Sequence, residues 1–225
     1  MIKQRLQKLG ILSALIALGV FGTSTAYAAL TPQFNQTINA GSFSGDIVDG
    51  EFAPVGSPAV AMEAVPFSYD CQPATGTLGT ADEQIYISNP NAVTSGWTVS
   101  IAANATTAVW DGVTDFDFND PTTSGCADGT DADALAGQMT VDASGATLSY
   151  GLDEDTDIVT GLTKGSSTAF NEGTTNSVTI LSADASSDDI GDWTLQGVSL
   201  SQKIPAEQAA DDTYHIHMVV SIVSL

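Results

Sequence analysis

The sequence predicts an all-β protein, an antiparallel β-sandwich of jelly-roll-like form with one long acidic loop. Three observations carry this. First, apolar residues recur with period two, as in Trp97, Val99 and Ile101 against Thr98, Ser100 and Ala102. That is the pattern of a strand with one buried face. Second, these runs are short and are separated by Gly, Asn, Asp and Pro turn signals. Third, residues 29–225 contain no amphipathic helix of useful length. Short strands with frequent turns fit a sandwich or jelly roll.

The chain orders itself around residues 84–103, which predict two strands flanking a turn at Asn89-Pro90-Asn91 and Ser95-Gly96. Trp97 carries the largest apolar surface there and is expected to anchor the core. Upstream, residues 29–45 alternate through Phe34, Gln36 and Ile38 and predict an N-terminal arm or a first strand. Residues 46–225 then form a single domain. Val60, Met62, Ala64, Phe67 and Tyr69 predict a strand interrupted at Pro66, and residues 72–82 read as turn-rich. A short strand is expected at Ala108, Val109 and Trp110. Residues 111–133 form the acidic loop, too polar and too broken for a core element.

Strand patterning resumes at Met139-Thr140-Val141 and at residues 146–150, before an acidic turn at 153–157. Residues 177–181 predict another strand. So do residues 193–200, where Trp193 and Leu195 are followed by Val198 and Leu200 across Gly197. The clearest strand is the last. Tyr214, Ile216, Met218, Val220 and Ile222 fall on one face and His215, His217, Val219, Ser221 and Val223 on the other. This apolar final strand offers an edge through which copies could self-associate.

Residues 1–28 have the layout of a secretory signal peptide. Lys3, Arg5 and Lys8 precede an apolar segment from Leu9 to Val20, and Ala26-Tyr27-Ala28 is an A-x-A cleavage site. The apolar segment is shorter than the roughly 18 residues of a membrane span, and no second one follows, so no transmembrane span is expected after cleavage. Beyond the signal, only Lys164 and Lys203 stand against 27 acidic residues. Such a surface excludes a nucleic-acid partner, because nothing neutralises phosphates. Cys71 and Cys126 are the two cysteines. In an exported chain they are expected to pair, contributing about 2–4 kcal/mol.

The acidic loop holds the candidate site. Asp115, Asp117, Asn119 and Asp120 cluster on one side of Cys126, and Asp128, Asp131 and Asp133 on the other. Calcium takes six to eight oxygens, which carboxylates on a loop supply. The Asp115-x-Asp117-x-Asn119 spacing matches the first three ligands of an EF-hand loop, but the required Gly and closing Glu are missing. Trp110, beside the loop, is the candidate binding aromatic. His215-x-His217 offers two imidazoles for zinc or copper, and no further histidine exists to complete a site. Neither a Gly-x-Ser-x-Gly nor a His-Glu-x-x-His motif is present, and no enzyme is expected.

Gly96-Trp97-Thr98-Val99-Ser100-Ile101, with Ile204-Pro205-Ala206 and residues 214–222, resembles the WxL-type bacterial cell-surface domain. The resemblance spans roughly residues 40 to 225. It implies export, an all-β sandwich and cell-wall association. Val99 stands where the family has its first Leu, and Trp193-Thr194-Leu195 lies before the final strand instead of in it. Residues 34–47 resemble the start of camelysin-like biofilm fibre proteins. The function expected is therefore a structural or adhesive one at the cell surface, with an envelope polymer or other surface proteins as partners. A fibre or pilin-like subunit and a calcium-dependent carbohydrate-binding module are the alternatives.

Overall fold

A computed structural model describes residue 33 and residues 35–39, 41–90, 95–122, 124–152, 159–185 and 190–225. The signal peptide and the acidic turn at 153–157 lie outside the described residues. The chain divides into two units, Met1–Ile38 and Asn39–Leu225. In the first, the described residues form no strand, and Ile38 is exposed. No helix among the described residues is long and apolar enough to cross a membrane.

The second unit is all-β. Twelve strands among the described residues form three antiparallel four-stranded sheets. They are β1 (Ser44–Val48), β2 (Gln72–Leu78), β3 (Gln84–Asn89), β4 (Trp97–Ala103), β5 (Gln138–Asp142), β6 (Thr147–Tyr150), β7 (Leu162–Lys164), β8 (Thr168–Ala169), β9 (Ser177–Ala183), β10 (Gly191–Gln196), β11 (Val198–Ile204) and β12 (Met218–Ser224). The sheet orders are β1-β3-β10-β6, β2-β11-β5-β8 and β12-β4-β9-β7.

The first two sheets share an order. β3, β10 and β6 of one continue in the chain as β2, β11 and β5 of the other, so the pair behaves as one sheet bent across a corner. Gly197 makes that corner between β10 and β11. Its φ is 79°, a left-handed conformation, and its amide donates to Gly79 O at 2.7 Å. Corners where strands change sheets are how sandwiches close around a core. Trp193 and Leu195 thus belong to one sheet and Val198 and Leu200 to the next, which corrects the single strand predicted over residues 193–200.

β3 and β4 form where predicted, but they do not pair with each other. β3 runs between β1 and β10, and β4 between β12 and β9. Trp97, Val99 and Ile101 are all buried, as their alternation predicts. Trp97 crosses between sheets to meet Trp193, with ring centroids 5.5 Å apart, and Phe43 at 6.0 Å.

Two other expectations are corrected. Residues 60–69 form no strand. Their backbone lies along the outer edge of β2, where Glu63 N donates to Thr75 O at 2.6 Å. The ladder runs through residues 72–78, read as turn-rich because their inward side chains, Ala74 and Leu78, are few and small. Pro73 is tolerated because β2 is an edge strand. The short strand at 108–110 is a single bridge between Trp110 and Phe116.

Candidate functional site

The acidic loop between β4 and β5 is only partly a surface loop. Its centre, Phe116 to Asp120, is buried throughout. This corrects the expectation that residues 111–133 contain no core element. The reason is local. Trp110 and Phe116 exchange backbone hydrogen bonds at 2.8 and 3.3 Å and stack with ring centroids 5.7 Å apart. The next residues run beside the start of β5, with Asp117 N donating to Ala136 O, Asp120 N to Gly137 O and Met139 N to Phe118 O. Phe118 enters the core against Phe170, with centroids 5.2 Å apart. Gly137 permits the approach: its φ is 137°, and a Cβ there would fall 2.0 Å from Asp117 O.

Two buried glutamines satisfy the polar atoms this brings inside. Gln138 Nε2 donates to Asp120 O at 2.8 Å and Phe170 O at 3.0 Å. Gln202 accepts from Trp110 Nε1 at 2.9 Å and donates to Asp117 O at 2.9 Å. Both glutamines escaped the sequence reading. The signal was present for Gln202, which occupies an inward position of β11 in phase with Val198 and Leu200. A polar residue at a core position needs partners, and here the partner is the loop.

The loop gathers three of the seven candidate ligands. One carboxylate oxygen each from Asp117, Asp131 and Asp133 lie within 4.8 Å of one another. Asp117 is 2% exposed. One of its oxygens accepts from Phe118 N at 2.6 Å and Asn119 N at 3.2 Å. Burial pushes its pKa up to about 7, opposed by those two amides and reinforced by Asp133 and Asp131. Asp131 is also raised, first by desolvation and then by Asp133, Asp120 and Glu172. The Asp133 backbone amide opposes that rise by hydrogen bonding to the Asp131 carboxylate.

The other four candidates face elsewhere. Asp120 spends its two oxygens on Thr122 N and Gly129 N, at 2.7 and 3.0 Å. Asp115 accepts from Gly112 N at 3.3 Å, and Asn119 donates to Thr106 O at 3.1 Å. Asp128 is exposed. The EF-hand-like spacing therefore does not converge on one point. Cys71 and Cys126 are bonded, with Cα atoms 5.6 Å apart, so the loop is tied to the start of β2. This bridge points to an oxidising environment.

Trp110 is 9% exposed and lines an open cavity of about 750 Å³. Its walls include Ile47 of β1, Ile85, Ile101, Leu200, and Val220 and Ile222 of β12. Apolar residues dominate, so an occupant would be largely apolar. His215 and His217 stack edge to face at 5.7 Å, and His215 Nε2 lies 3.8 Å from Asp111. Among the described residues, the only group of three metal-ligating side chains is Asp117, Asp131 and Asp133. Comparison with protein-family models, with curated proteins and with solved structures gives no match.

Proposed function

We propose that this is an exported, non-catalytic structural protein of the bacterial surface, which assembles with further copies of itself by strand addition at β12. The observation that supports the reading is the open edge of that strand beside the apolar cavity. β12 is the outer member of its sheet. His217 O accepts from Asn104 N at 3.1 Å, and Leu225 N donates to Gly96 O at 3.0 Å. In an antiparallel ladder the odd-numbered residues between them face β4, and Met218, Val220, Ile222 and Ser224 turn their amides outward.

Soluble proteins blunt such an edge with lysine, proline, a bulge or a covering segment. β12 carries neither lysine nor proline. It exposes Val219 at 45%, Val223 at 51% and, just beyond, Leu225 at 70%. An added strand would take up the free backbone groups and place alternate side chains in the cavity. The disulfide fits a place outside the cytosol, and the resemblance to WxL-type domains favours the same location.

Val220→Pro tests this. Proline at an outward position removes one free amide and leaves the ladder to β4 intact. Sedimentation of the protein without its signal should show concentration-dependent oligomers, and Val220→Pro should remove them without preventing cooperative unfolding. A wild type that remains monomeric across the range would refute self-assembly. If that monomer pellets with purified cell walls, wall attachment replaces it as the function.

A further inference from the structure

We propose that the strand added at β12 is the N-terminal arm of the next copy, residues 33–40, so that copies join head to tail. The arm takes this place only if strand addition at β12, proposed above, occurs. On the acceptor side a layer is missing. β4 and β12 are neighbours in one sheet, and Val99 and Ile101 pair with Ile222 and Val220. Val99 and Ile101 are 0% and 2% exposed, whereas Met218, Val220 and Ile222 on the same face are only half-buried. These three border the open cavity, together with Ile47 of β1. β1 and β12 are the outer strands of their sheets. A half-buried apolar face beside outward backbone groups is the place for one further strand.

The donor is written in the arm. Phe34, Ile38 and Ala40 fall at even positions with Gln36 among them, and the odd positions Gln33, Asn35, Thr37 and Asn39 are all polar. That is the period of a strand with one buried face. Yet Asn35 to Asn39 form no strand and are exposed, Ile38 at 85%. Gln33 and Gln36 donate within the arm, each at 3.0 Å, to Asn35 Oδ1 and Thr37 O. The domain favours a neighbour's arm over its own. Gly45 lies against Ile222, and Phe43 packs on Trp97, which pairs with Ser224. Toward its N-terminus the chain therefore runs off the end of β12. It would have to double back to cover its own edge, and another copy offers one directly.

Charge points the same way. Residues 29–45 and 218–225 carry no ionisable side chain, in a chain with 27 acidic residues. Strongly acidic copies repel, and an uncharged arm on an uncharged edge joins them with the least repulsion. Donor and acceptor are different surfaces, so the contact is heterologous and generates a filament or ring instead of a closed pair.

The test is complementation, by sedimentation of the protein without its signal. Phe34→Ser with Ile38→Ser removes the apolar face of the arm and should weaken self-association at least tenfold. Asn35→Ser with Thr37→Ser alters the polar face and should change it by less than twofold. Neither pair should shift the unfolding midpoint. Val220→Pro keeps the arm and loses the edge. Mixed with the Phe34 and Ile38 variant, which keeps the edge, it should form one-to-one complexes that neither forms alone. The proposal is overturned if the Phe34 and Ile38 variant assembles as the wild type does; another segment then fills the edge, and assembly at β12 stands. It is also overturned if that mixture yields no complex. A wild type that is monomeric at every concentration overturns the assembly and the role of the arm together.

Discussion

Trp97→Ala is expected to lower the unfolding free energy by about 3–5 kcal/mol, the range for removing a large aromatic from a close-packed core. Trp97 is 1% exposed on a central strand, and its ring bridges two sheets through Trp193. Alanine would leave a cavity between sheets, where neither can move toward the other without breaking its ladders. The loss is a large fraction of the roughly 5–15 kcal/mol that holds a domain together. The indole Nε1 finds no acceptor among the described residues. Trp97→Phe should therefore cost much less than alanine, since it keeps ring contact and removes an unsatisfied donor. Urea unfolding followed by far-ultraviolet circular dichroism measures both. An unchanged midpoint in Trp97→Ala would contradict the assignment of this residue to the core.

Cys71→Ser with Cys126→Ser is expected to cost about 4 kcal/mol in the chain-entropy treatment of a loop this long. The bridged cysteines are 55 residues apart, and the closed loop contains β2, β3 and β4. The unfolded chain gains that freedom when the bridge is lost. The acidic loop also loses its covalent tie to the start of β2, so residues around Cys126 should become the first to open. Unfolding with and without reductant gives the same comparison on the wild type. Equal midpoints in the two conditions would show that the native contacts alone hold the loop.

These two effects differ in how readily the sequence reveals them. Trp97 was legible because Trp97, Val99 and Ile101 keep a strict period of two, and one face of β4 is buried along that period. β12 was legible for the same reason. Which strands would pair was not, because pairing is decided by contacts distant in the chain. β3 and β4 are sequence neighbours in different sheets. The split at Gly197 did leave a trace. The buried positions shift from odd to even numbers between Leu195 and Val198, as a change of sheet requires.

The candidate site was legible in composition and not in geometry. Seven acidic or amide residues were clustered in the sequence, and only the fold separates the three whose oxygens approach one another from Asp115 and Asp120, which accept nearby loop amides, Asn119, which donates to Thr106 O, and Asp128, which is exposed. The burial of Asp117 follows from its neighbours. Phe116 and Phe118 flank it and draw that stretch inward, where Gln202, on an inward position of β11, and Gln138, at the start of β5, donate to its carbonyls. Acidic composition masked this aromatic pair. Residues 60–69 show the opposite case, in which apolar alternation is satisfied by packing along the outer edge of β2 without a ladder.

Amide hydrogen exchange along β12 tests the proposed assembly most directly, because strand addition gives adjacent residues different fates. In dilute protein, Val219, Ser221 and Val223 should be protected by β4, and Val220, Ile222 and Ser224 should exchange as an open edge. In sedimenting oligomers, the second set should slow at least tenfold and the first set should stay as it was. Oligomers whose Val220, Ile222 and Ser224 amides exchange as fast as in dilute protein would contradict strand addition at this edge.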